Sequence, residues 1–317
     1  MALRAHISER QRRFGIELRR LRLSAGLAVQ DAAAHITMRG PQLNHIEAAR
    51  TGLDEIRLRA LAELYGCTDE TYLDALVAMG ASDGKGWWSA YKNKVPDFSL
   101  DLAELEGGGL SRHLNYETFF VPGLLQTEEY MRQLFVNSDI LLSPEQIEDA
   151  SRFRLDRQVV LTGSNSTQFS FVIHEAALLM SFAGTEVMHR QLAYLLKIWE
   201  LPHVEIQIFP FSVQATPPYT GPFMIADPGP QGLSTVMIDH PGMPGFADAP
   251  EAVKEYGKRF ADLSRLALRS GNAQISTQPD SERDSWGIVQ HVKNSSLEMG
   301  RQEFPASRAS EIPLRSP

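Results

Sequence analysis

Apolar residues recur at helical spacing through roughly the first 80 positions, and beyond them helical and alternating patterns take turns. Within residues 10–23, Phe14, Leu18 and Leu21 fall on one side and arginines occupy the others, which predicts an amphipathic helix. A second, short helix is predicted over residues 29–35, where Ala32, Ala33 and Ala34 permit close backbone approach. A third is predicted to open at Gly40-Pro41, because proline suits the first helical position, where its missing N–H is no loss. Leu43 and Ile46 then share one face, and Gln42, Asn44 and His45 turn elsewhere. Leu58, Leu61, Leu64 and Tyr65 mark a further helix that stops at Gly66. Four or five such helices bury one small core, and a short polar-faced helix after a tight turn is the shape that enters a DNA major groove.

The polar stretch 81–86 (ASDGKG) predicts a boundary, giving an all-α helix-turn-helix domain over 1–82 and an α+β domain over 83–272. Trp87, Trp88 and Tyr91 are expected to pack against this second domain rather than to stack on bases, since no basic residues interleave them. Helices are predicted over 97–106, from a Thr127 cap to Phe135, from Pro144 towards Val160, over 186–200 and over 251–269. About five strands are predicted, over 115–121, 169–173, 204–209, 223–226 and 235–238. The helix at 186–200 is too apolar along Leu192, Leu195, Leu196 and Trp199 to be exposed, and is expected to pack on the sheet. Residues 273–317 turn polar and are expected to be a mostly disordered tail. Trp286, Ile288 and Val289 are too apolar for a purely solvated segment and predict a short helix docked on the body or on a partner.

Charge sharpens this division. The net charge is −8, yet the first 50 residues carry nine arginines against four carboxylates, leaving 22 basic and 35 acidic residues for the rest. A basic end on an acidic body is the footprint of a protein that meets phosphate with one module. Arg19, Arg20, Arg39 and Arg50 are the candidate phosphate contacts, and Gln42, Asn44 and His45 the candidate base readers.

The chemistry of catalysis is not legible here. There is no GxSxG, no HExxH, no Cys-x-x-Cys and no EF-hand-like acidic loop, and Gly107-Gly108-Gly109 lacks phosphate-loop spacing. The single cysteine, Cys67, leaves no disulfide framework and is expected in the small core. We therefore expect no enzyme, no cofactor and no metal. No apolar stretch approaches a membrane span and no apolar signal core is present, so a cytoplasmic protein is expected.

The runs LRRLRLSAGL, AAAHI and LNHIEAARTGL resemble the Xre-type helix-turn-helix regulators, and most closely the actinobacterial WhiJ-like branch. That resemblance implies an ion pair between Arg22, late in the first helix, and Glu47, at the end of the reading helix. It extends to YETFFVPGLLQTEEYMR, RFRLDRQ at 152–158, HEAAL at 174–178, LPHVEIQIFPF at 201–211 and EAVKEYGKRFADLSRLAL at 251–268. The chain departs from the family pattern at Arg39-Gly40-Pro41, where a Ser or Thr cap is usual, and at Val29, where a Gln is usual.

Two functional readings follow. One is a sequence-specific transcriptional regulator on double-stranded DNA, whose second domain senses a ligand or a small partner protein. The other, suggested by the companion proteins that accompany WhiJ-like genes, is an antitoxin-like protein that holds a small partner and binds DNA for autoregulation. A homodimer is expected, since one small head reads few bases, with the interface within 83–270 and helix 251–269 as first candidate.

Overall fold

The computed structural model describes residues 3, 4, 6–138, 141–163, 166–218, 220–240, 244–271 and 284–299. Of the expected tail, residues 273–283 and 300–317 lie outside the described residues.

Five helices build the N-terminal head: α1 (Glu9–Ser24), α2 (Val29–His35), α3 (Gly40–Glu47), α4 (Glu55–Leu64) and α5 (Glu70–Gly80). Local chemistry fixes their ends. Ser8 and Gln11 bond reciprocally at the start of α1, and Asp54 and Asp69 cap α4 and α5. Gly66, at φ +73°, ends α4 in the left-handed conformation that a side chain would resist. Phe14, Leu18, Leu43, Ile46, Leu61 and Leu76 are buried together, and Cys67 packs at the margin of that core.

The second domain is a six-stranded sheet in the order β3-β2-β1-β4-β5-β6. Its strands are β1 (Arg112–Glu117), β2 (Gln168–His174), β3 (Val204–Phe209), β4 (Phe223–Asp227), β5 (Thr235–Ile238) and β6 (Gly245–Ala247). The first three run parallel and the last three antiparallel, with β1 as the seam between them. Parallel neighbours require crossover connections, which helices supply. Between β1 and β2 lie α7 (Glu128–Val136), α8 (Pro144–Arg157) and α9 (Val159–Thr162); between β2 and β3 lie α10 (Ala176–Leu179) and α11 (Thr185–Ile198).

Alternation along the strands makes three layers. Phe169, Phe171 and Ile173 of β2 point towards α11, where Leu192, Leu195, Leu196 and Trp199 meet them as their spacing predicts. Val172, Phe223, Ile225 and Val236 point the other way, onto α12 (Pro250–Leu266) through Phe260 and Leu263. On the α11 side of the antiparallel half, α6 (Asp97–Glu106) covers Met224, Ala226 and Met237. The 3-10 turn Trp87–Tyr91 packs through its aromatic rings on Phe153, in agreement with the packing role expected of them.

Several expectations are corrected. The first strand ends at Glu117 and not at Val121, because Phe119 and Phe120 swing into solvent while Val121 is tied into a loop by Tyr130 and Gln126. The helix from Pro144 stops at Arg157, and a separate turn, α9, carries Val160. A sixth strand, three residues long, was too short to show alternation. The apolar face of α12 is packed on the sheet.

The described part of the C-terminal segment belongs to the body. Helix α13 (Ser285–Met299) lies along α11, Trp286 meets Trp199 edge to face at 5.6 Å, and Val289 is fully buried. Its first residue is anchored too, since Ser285 Oγ accepts from Ile208 N at 2.8 Å. Removing an aromatic side chain of this burial costs about 3–5 kcal/mol. Trp286→Ala is therefore expected to shift the denaturant midpoint of the full chain strongly downwards; a midpoint like the wild type's, read by circular dichroism, would detach α13 from the core.

Candidate nucleic-acid interface

Helices α2 and α3 meet across a turn in which Thr37 adopts φ +57° and Met38 N donates to Ala33 O at 2.8 Å. Arg39 is the N-cap of α3 but offers no side-chain acceptor; the Oε1 of Gln42 instead accepts from Arg39 N at 2.9 Å. Gln42 thus supplies the return half of a capping box, the half a Ser or Thr would make being absent, and only its Nε2 remains for a base. Bidentate pairing with adenine needs both groups. Leu43 and Ile46 anchor the helix in the core, and Arg39, Gln42, Asn44 and Arg50 are exposed, with His45 half-buried.

The candidate arginines divide sharply. Arg19, Arg39 and Arg50 are exposed, and none forms an ion pair among the described residues. Arg20 is different: its Nε donates to Glu17 Oε1 at 2.8 Å, and Tyr72 Oη donates to the same oxygen. Burial alone would raise the Glu17 carboxyl, but the hydrogen bonds from Arg20, Tyr72 and Arg13 hold it below the usual carboxylate range. Arg20 is thus held on a buried carboxylate next to α5, with its side chain still 46% exposed. Most of the remaining arginines of the N-terminus are also engaged. Arg4 donates to Ala49 O at 2.8 Å, Arg10 to Ala78 O at 2.7 Å, and Arg12 pairs with Glu9 and with Asp248 at 2.8 Å.

Arg22 and Glu47 make a bidentate pair, Nε to Oε1 at 2.6 Å and Nη2 to Oε2 at 2.8 Å, with side-chain exposures of 8% and 4%. A third guanidinium donor goes to Leu27 O at 2.8 Å. The pair closes α1 onto α3 where Gly15 permits it, since a Cβ on Gly15 would lie 2.5 Å from Glu47 O. One exposed polar residue escaped sequence reasoning. Gln30, on α2, lies against Gly40 at the start of α3, one position after the Val29 that departs from the family pattern.

A second polar cluster sits on the seam strand. His113, Asn115 and Glu117 alternate along β1 towards α6 and α8, the reverse of the apolar pattern expected for an inner face. His113 Nε2 lies 3.2 Å from Glu106 Oε1, Arg157 Nε lies 2.8 Å from Glu106 Oε2, and Asn115 donates to Phe223 O at 3.0 Å. Burial and the neighbouring Asp239 push the Glu117 carboxyl up to about 8, against a bond from Asn115 and the charges of Arg154 and Arg157. Arg154 is itself pulled down to about 10 by burial and by Arg157; it donates to Gln126 Oε1 at 2.8 Å and lies over the Phe135 ring. YETFFVPGLLQT and RFRLDRQ, far apart in the chain, thus supply Glu117, Gln126, Arg154 and Arg157 to one place.

A helix-turn-helix with an exposed polar reading face, carried on a separate α+β body, defines a DNA-binding protein of the helix-turn-helix class. Comparison of the sequence with known families agrees: residues 13–76 match the Helix-turn-helix domain, and residues 101–273 match the Domain of unknown function (DUF5753). The second match spans more than half of the 317 residues, and the chain belongs to the DUF5753 family. No curated protein and no solved structure matches the chain. Among the described residues there is no helix long and apolar enough to cross a membrane and no cluster of metal-ligating side chains.

Two outcomes follow from these clusters. Glu47→Ala in the full chain strands a buried guanidinium, a loss of about 3 kcal/mol, and should lower the melting of the head by several degrees; an unchanged midpoint would mean the pair is solvated. Glu117→Gln should stabilise the chain in a pH-dependent way. Below about 4.5 the carboxyl is protonated whether folded or not, and the variant gains nothing; between about 4.5 and 8 the unfolded chain releases a proton that the folded chain keeps. Wild-type stability then falls as pH rises, so the melting gap between variant and wild type should open from pH 5 to pH 8. A gap independent of pH would rule out this origin.

Proposed function

We propose that the chain is a sequence-specific transcriptional regulator of the Xre-type, WhiJ-like kind, which reads operator DNA with α3 and receives a signal in its second domain. The observation that carries this reading is the segregation of arginines: those of α1 are largely engaged by protein groups, and Arg39 and Arg50 remain free at the two ends of α3. Asn44 lies between them as the residue best placed for a bidentate base contact, with Gln42 and Gln30 as single-donor or flanking contacts. In this reading the protein works by binding rather than catalysis, in the cytoplasm, and as a homodimer on two half-sites.

Two features of the second domain support a signal. An open groove of about 550 Å³ lies between the Trp87 turn, α8, α9 and α11, lined by Trp87, Asp156, Val159, Leu161 and Tyr194, and is the place we assign to a small-molecule effector. Exposed Phe119, Phe120, Leu179, Met180 and Phe211 all follow the C-terminal ends of β1, β2 and β3, and favour the second reading, an antitoxin-like protein that holds a small companion. Purification from the native source separates the two, since a stoichiometric small protein supports the companion and a retained metabolite the effector.

The DNA reading is tested by anisotropy titration against a selected operator across a salt series. Three free arginines per head predict a slope of log K on log salt of about −2.7 per head. Arg39→Ala or Arg50→Ala should flatten it by about 1 each, and Arg20→Ala should leave it unchanged. Asn44→Ala should cost about 1–3 kcal/mol at the operator and nothing on unrelated DNA. Equal loss on all sequences would remove Asn44 from base reading.

A further inference from the structure

The head and the second domain are not beads on a string. The turn between β4 and β5, residues 228–234, reaches across to the head, and Leu233, only 1% exposed, is buried in the same core as Phe14, Leu18, Leu43 and Ile46. Beside it, Arg13 on α1 is 2% exposed; its Nη1 donates to Glu17 at 3.0 Å and its Nη2 to Gly232 O. A guanidinium so enclosed needs both partners, because an unpaired buried charge is strongly unfavourable.

The turn is stiff on its own side. Gly229 and Gly232 take φ of +110° and +90°, conformations that side chains resist. Asp227, 4% exposed, accepts from Gly229 N at 2.9 Å and from Ser234 Oγ at 3.1 Å with one oxygen, and its other oxygen holds Arg112 of the seam strand at 2.6 Å. Flanking contacts extend the junction: Arg12 to Asp248 just beyond β6, and Arg10 to Gly108 O at 3.2 Å. On its opposite face α1 is closed against α3 by Gly15 and the Arg22–Glu47 pair. Helix α1 therefore touches both the β4–β5 turn and α3 through buried groups.

We propose that the β4–β5 turn is a built-in control element of the DNA-binding head, which sets the packing of α1 and, through it, the presentation of α3. This rests on α3 being the DNA-reading helix, and it adds the route by which the second domain reaches that helix. The turn needs no contact with DNA: it acts by completing the core that holds α3. A change that moves β4 and β5, from either signal considered above, then alters DNA affinity through Leu233 and Gly232.

The test uses the full chain with Leu233→Ala and, as a stronger variant, Leu233→Asp. Hydrogen exchange without DNA should rise at least about tenfold in amides of α1 and α3 while those of β1, β2 and β3 stay protected, since the substitution opens only the junction. Affinity for the selected operator should fall at least about tenfold although no DNA-facing residue has changed, and Arg13→Met, which keeps bulk and removes the donor, should reproduce the direction of both effects. Unchanged exchange in α1 and α3, or unchanged operator affinity in a variant whose head has loosened, would overturn the proposal. If Leu233→Asp loses the sheet as well, Leu233→Ala decides by the same two readouts. Should the wild type bind no DNA at all, the DNA reading fails by itself, and exchange in the head then decides whether the turn governs it.

Discussion

A guanidinium removed from water dictates how this molecule is assembled. Arg13 is buried, and the groups that bind its two terminal nitrogens come from two parts of the chain: Glu17 from its own helix and the carbonyl of Gly232 from the sheet domain. Neither alone suffices. Glu17 is also buried, and draws in Arg20 and Tyr72, so one ionic cluster ties α1 to α5 and to the second domain together. The low dielectric that strengthens these bonds also makes each one costly to lose. The placement of the reading helix rests on α1, and so on this cluster.

The reading helix, its preceding turn and most helices of both domains were legible in the sequence, because each carries a local reason. Pro41 at a helix start, Gly66 at a helix end and the apolar spacing of Leu192, Leu195 and Leu196 act within a few residues. What was not legible depends on partners distant in sequence. The seam strand was misplaced because its polar residues face inwards, where Glu106, Arg154 and Arg157 receive them. The three-residue β6 has too little pattern to announce itself. Arg20 looks like any exposed helix arginine until Glu17 is found buried beside it.

The same distinction applies to the C-terminal segment. Its composition argues for solvation, yet Trp286 and Val289 complete the core between α11 and the parallel strands. A few apolar side chains decide the fate of a mostly polar stretch when a complementary surface already exists. The polar row of β1 is the converse case, a set of polar and ionisable groups retained inside a sheet whose neighbouring inner positions are mostly apolar. Neutralising Glu117 lowers the desolvation cost of that row, and Arg154 finds an amide oxygen and an aromatic face in place of a carboxylate.

The close approach at Gly15 has a mechanical meaning. With the carbonyl of Glu47 where a methyl group would stand, α1 and α3 have no slack along their contact, and the Arg22–Glu47 fork locks the remaining rotation. The two helices are therefore seated as one unit, and under the proposed control by the β4–β5 turn whatever loosens α1 is passed directly to α3, with no slack contact between them to absorb it.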